Sequence, residues 1–121
     1  MLSNNGELSR IVSRNVRAKR VKCVSIAAVL SALNIRHIDW FFLDVEGSET
    51  NVLHSFPWTS TLVDMFQIET AIPGYGKRDA RKQKEISDIL YQHGFRLAEN
   101  LTVDAVYLNK LHDYVTKSLS H

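Results

Sequence analysis

Two apolar runs with a helix-like stretch between them constrain the fold of this chain more than any other feature. The run "IDWFFLDV" (38–45) is almost wholly apolar across its middle, and "LVDMFQIET" (62–70) is a second strand candidate. Val52, Leu53 and Phe56 lie between the runs at helical spacing. We therefore predict two adjacent parallel strands that are joined by one helix, each covered on both faces.

Elements of alternating type surround this unit. The β-branched run "VKCVSI" (21–26) predicts a strand, and the helical spacing after it ends near Asn34. A further helix runs up to Gly94, and "FRLAEN" and "DAVYLNK" then predict an antiparallel strand pair. The order β, α, β, α, β, α, β, β indicates an open α/β sheet, mostly parallel, with right-handed crossovers.

Size and composition indicate one ordinary globular domain. The chain has 121 residues, of which 45% are hydrophobic and 23% charged. No stretch reaches the roughly 18 apolar residues of a membrane span, so we expect no span and take a cytosolic chain as the default. Cys23 is the only cysteine, which excludes an internal disulfide and a thiol cluster for zinc.

Basic residues are concentrated at the start of the chain. Residues 1–22 hold six basic residues against Glu7 alone. Such a segment could contact nucleic acid or an acidic membrane surface, or it could be a solvated surface. It has no interleaved aromatic residues and no groove-reading motif, so we favour the solvated surface and expect no nucleic-acid partner.

Carboxylates lie near the ends of both apolar runs. Asp44 lies near the end of the first run and Glu46 directly after it, and Glu69 lies near the end of the second run. Ligands of open α/β sheets bind beyond the carboxyl ends of the strands, so these three side chains would share one cleft as a general base or a cation site. Alternatively, Glu46 accepts backbone N–H groups at the start of the next helix, and Gly47 serves a turn conformation. The spacing leaves both interpretations open.

The motif residues resemble a known family. "HIDWFFLDVEGSETNVL", "MFQIET" and the ending "GFR…DAVYLN" are similar to the C-terminal half of the FkbM-type methyltransferase domain, a class I fold that uses S-adenosylmethionine. The resemblance implies that Asp44, Glu46, Gly47 and Glu49 form the family motif, with Glu69 at the end of the next strand. It spans residues 21–110, between a basic segment (1–20) and a tail (111–121).

The chain also departs from the family pattern. It has no G-x-G-x-x-G arrangement after a strand, and Phe42 stands where the family commonly has lysine. We therefore expect an incomplete domain that is inactive as an isolated chain, with unknown cofactor-binding residues and an unknown methyl acceptor. The segment "LNIRHIDWFFLDVEG" is also similar to a segment of invertebrate Star-type proteins. This resemblance leaves a non-catalytic interaction or trafficking module as the alternative function.

Two further expectations concern metals and association. The five histidines show no H-x-x-x-H or H-x-E spacing, so we expect no metal site. In the complete family fold the strand at 38–45 has an outer neighbour, and the charged residues 1–20 are a poor substitute for it. An apolar strand at an open edge predicts self-association.

Overall fold

The computed structural model describes residues 18–72, 74–113 and 117. Most of the predicted basic segment and of the predicted tail lies outside these residues. The described elements, in chain order, are α1 (Ile26–Ala32), β1 (His37–Leu43), α2 (Glu49–His54), β2 (Leu62–Glu69), α3 (Ala80–Gln92), β3 (Phe95–Asn100) and β4 (Asp104–Asn109).

The described strands form one mixed sheet in the order β1-β2-β4-β3. β1 and β2 are parallel neighbours, as predicted, and β3 and β4 are the predicted antiparallel pair. The expectation of a mostly parallel sheet is wrong, because β4 turns back from β3 and inserts beside β2, to which it is antiparallel. Among the described strands, only β1 and β2, which are joined by a short helical crossover, are parallel.

The predicted strand at 21–26 is also wrong. Residues 18–25 have no strand or helix, and Val21 and Val24 are exposed. The Ser25 hydroxyl instead accepts a hydrogen bond from the Ala28 N–H at 3.1 Å and caps α1. β-Branched residues favour a strand only where neighbouring strands and a covering layer contact them, and among the described residues this segment has neither.

One aromatic cluster fixes the strands relative to α2. Phe66 of β2 is fully buried, and its ring centroid lies 5.2–5.6 Å from those of four other aromatic residues. Edge and tilted contacts at these distances are the favourable arrangements for aromatic rings. The four partners are Phe41, Phe56, Trp58 and Phe95.

β1 lies at an edge of the described sheet and is covered on one face only. Phe41 packs into the core and Leu43 is buried, whereas Trp40 is 56% exposed and Phe42 is 53% exposed. The expectation that both faces of β1 are covered is therefore wrong for the described residues. Apolar residues in a strand do not by themselves show which face is covered, since that depends on packing from elsewhere in the chain.

Candidate functional site

The turn between β1 and α2 has an unusual backbone. Glu46 has φ +50° and Gly47 has φ +102°, so two consecutive residues lie on the left-handed side. Glycine adopts such angles readily, whereas a side chain there is disfavoured. Gly47 therefore serves a turn conformation, as one of the two interpretations predicted. The strained Glu46 holds its carboxylate in an exposed position after the strand.

Hydrogen bonds from the backbone of this turn to the buried Glu49 side chain hold the turn in place. Its side chain is 0% exposed, and its carboxylate accepts hydrogen bonds from the backbone N–H groups of Val45 at 3.3 Å and Gly47 at 3.1 Å. Lys82 of α3 completes the site with its Nζ 3.2 Å from Glu49 Oε2. Glu49, rather than Glu46, thus accepts hydrogen bonds from the N–H groups of the turn. Glu49 lies in the first turn of α2, which places its side chain against the turn backbone.

The three carboxylates predicted from the strand ends do meet. Asp44, Glu46 and Glu69 each offer an oxygen, and these oxygens lie within 4.8 Å of one another. Asp44 and Glu46 are exposed, whereas Glu69 is partly buried and its Oε2 has no hydrogen-bond donor among the described residues. Such a cluster can share a proton or hold a hydrated divalent cation.

The cluster alters the acidity of Glu69. A hydrogen bond with Asp44, burial, and the charges of Asp44 and Glu46 raise the pKa of Glu69 to about 7, while Lys82 acts in the opposite direction. Two carboxyl groups can hydrogen-bond to each other only if one of them carries a proton. A carboxyl group with a pKa of about 7 can accept and release a proton near neutral pH.

The raised pKa predicts a specific pH dependence. A folded-state pKa of about 7, above the ordinary value of 4.5, means that the contribution of Glu69 to stability is present below pH 4.5 and is lost as the pH rises through about 7. An NMR titration of the Glu69 carboxyl carbon should show this midpoint, and Asp44→Asn should lower it. A midpoint near 4.5 in the wild-type protein would contradict the shared proton.

Sequence reasoning placed Asp44, Glu46 and Glu69 correctly at one edge but missed Lys82. Lys82 lies near the start of α3 beside Arg81, and no local sequence signal distinguishes the two as partners of a buried carboxylate. A groove of about 580 Å³ lies elsewhere, near α1, Arg36 and Thr61, and none of the three carboxylates lines it. Asp44, Glu46 and Glu69 lie instead at the carboxyl edge of β1 and β2, outside this groove.

The Methyltransferase FkbM domain family matches residues 2–97. No curated protein and no solved structure matches the chain significantly. The family match includes the turn after β1, Glu69 and Lys82. Because it covers well over half of the 121 residues, this protein belongs to the FkbM methyltransferase domain family.

Proposed function

We propose that this chain is a methyltransferase-like domain whose Asp44, Glu46 and Glu69 bind the hydroxyl group of a methyl acceptor. The observation that carries the proposal is the convergence of the three carboxylates beyond the ends of two parallel strands, the usual ligand position in an open α/β sheet. Family membership supports the reaction class, since this family generally uses S-adenosylmethionine as the methyl source.

Glu69 is the proposed catalytic base. Removing the hydroxyl proton makes the acceptor oxygen a stronger nucleophile, and a base is most effective when its pKa is near the working pH. The pKa of about 7 meets this condition. Asp44 would position Glu69 through their hydrogen bond, and the exposed Glu46 would accept a hydrogen bond from the substrate. Glu49 and Lys82 take no part in the proton transfer, because their contacts hold the turn.

The described residues do not fit the cofactor itself. The carboxylates of Asp44, Glu46 and Glu69 could contact only the ammonium and sulfonium groups of S-adenosylmethionine, and they would repel its carboxylate. No G-x-G-x-x-G arrangement occurs in the sequence to cradle the rest of the molecule. We therefore expect calorimetry with S-adenosylhomocysteine to show no micromolar binding to the isolated chain. Micromolar binding would show that this chain holds a cofactor site of its own.

Methyl transfer tests the proposed role directly. The endogenous protein is isolated, its mass is compared with 13.8 kDa, and transfer of a labelled methyl group to hydroxyl-bearing cell metabolites is measured. Glu69→Gln should lower the rate about 100-fold or more, whereas the exposed Glu99→Gln should not change it. If the Glu69→Gln variant still transfers the methyl group at the wild-type rate, Glu69 is not the catalytic base. Absence of transfer by the intact protein would favour the non-catalytic, Star-like interaction module.

We also propose that the edge of β1 associates with a second copy of the chain. Within the described residues no strand pairs with the outer side of β1, and Trp40 and Phe42 are exposed beside that edge in an edge-to-face contact at 6.4 Å. β1 contains neither lysine nor proline, the residues that commonly protect an edge strand. A second copy that pairs with this edge would cover the unpaired backbone N–H and C=O groups of β1 together with Trp40 and Phe42.

No helix in the described part of the chain is long and apolar enough to cross a membrane.

A further inference from the structure

A second cluster of potential ligands lies at the opposite end of β1 and β2 from the carboxylates. His37 Nε2, at the start of β1, is 2.9 Å from Asp64 Oδ1 of β2. His112 Nε2, in the helical turn after β4, is 3.2 Å from the same oxygen. Asp39 Oδ1 lies 3.9 Å from His37 Nε2. His37, Asp39 and Asp64 each offer a ligand atom within 4.8 Å of the others, and His112 contacts Asp64 from a third segment.

These distances are close to those between the ligands of a zinc ion. Zinc binds histidine nitrogen and carboxylate oxygen at about 2.0–2.2 Å, so neighbouring ligands of a tetrahedral site are about 3.3 Å apart. The two histidine distances to Asp64 are within a few tenths of an ångström of this value, whereas His37 and Asp39 at 3.9 Å would move closer together around an ion. Both imidazoles use Nε2, which is a common zinc-ligating atom. Two neutral imidazoles with the carboxylates of Asp64 and Asp39 would also balance the charge of a dication.

An ion pair without metal is the competing explanation. The hydrogen bond to Asp64 raises the pKa of His37, so a protonated imidazole is also stabilised here. Protonation occupies the same nitrogen lone pair that would bind a metal, and protons and zinc therefore compete for one site. The half-exposed side chains of His37 and His112 leave the cluster open to ions from solvent.

We propose that His37, Asp39 and Asp64 form a zinc-type metal site, with His112 as the fourth ligand. The bound ion would tie the helical turn at residues 111–113 to the amino ends of β1 and β2. This site is separate from the proposed catalytic carboxylates, which lie after the other ends of the same strands. Its role would be to stabilise the fold, and it does not depend on the proposed methyl transfer.

The test uses the chain without a purification tag and Zn²⁺ as the probe, at neutral pH in a buffer that does not chelate. Calorimetry measures affinity, and thermal melts with and without zinc measure stabilisation. We expect zinc to raise the melting temperature of the wild-type protein. His37→Gln and His112→Gln should each weaken binding by at least about tenfold. His54→Gln is the matched control, because His54 is an exposed histidine on α2, and it should bind zinc like the wild type.

Each outcome decides the proposal. The absence of binding to the wild-type chain, or unchanged affinity in both histidine variants, would overturn it. Binding that is lost in Glu69→Gln but kept in His37→Gln would place the ion at the carboxylate cluster and would also overturn it. His37 and His112 belong to different segments. If one of the two histidine variants fails to fold, the other variant still tests the proposal. Co²⁺ binding adds a readout, since a tetrahedral His-carboxylate site gives visible absorption.

Discussion

Glu49→Gln is expected to lower the free energy of unfolding by about 3 kcal/mol, because it removes the charge from a buried ion pair. The Glu49 side chain is 0% exposed and accepts from the N–H groups of Val45 and Gly47 as well as from Lys82. A glutamine side chain keeps one acceptor oxygen. Its NH₂ group takes the place of the second carboxylate oxygen and cannot accept a hydrogen bond. At least one backbone donor would then be left unpaired, or the Lys82 ammonium would lose its carboxylate partner and keep only its hydrogen bond to the Ala71 carbonyl oxygen.

Urea denaturation measures this effect, with Glu99→Gln as the control. Glu99 lies exposed on β3, so its substitution should change stability by less than about 0.5 kcal/mol. Adding Lys82→Met to Glu49→Gln should recover part of the loss, because the lysine is no longer a buried, unpaired charge. If Glu49→Gln is as stable as the wild type, the carboxylate does not hold the turn. The positions of Asp44 and Glu46 would then need another explanation.

Phe42→Lys is expected to abolish or strongly reduce the proposed self-association. Phe42 is 53% exposed on the edge strand β1, so a lysine ammonium at this position can reach water without being buried. The alternative outcome, destabilisation by a buried charge, would require a covered Phe42 and is not expected. A charged side chain would disfavour the approach of a second strand and would also restore the residue common in the family.

Light scattering across a concentration series, together with thermal melts, measures this change. Leu101→Lys is the matched control, because Leu101 is also an exposed apolar residue but lies in the turn between β3 and β4. It should leave association unchanged. A wild-type chain that is a cooperatively melting monomer at all concentrations would contradict the proposal, as would equal effects of the two lysine substitutions.

Local sequence patterns were sufficient for most elements and for part of the candidate site. The apolar runs gave β1 and β2, and helical spacing gave the three described helices. The positions of Asp44 and Glu69 near the ends of these runs predicted that they would lie together, because parallel strands end at one edge of a sheet. The same patterns could not distinguish the roles of Glu46 and Glu49, since both flank one short turn.

The sequence by itself determined the alternation of strands and helices and the edge at which the carboxylates lie, because periodicity and turn residues act over a few neighbouring positions. The tertiary structure alone decided that residues 18–25 form no strand, that β4 lies beside β2, and that Phe42 is exposed while Glu49 is buried. It also brought His37, Asp64 and His112 together. These outcomes depend on contacts between residues far apart in the chain, which no local pattern encodes.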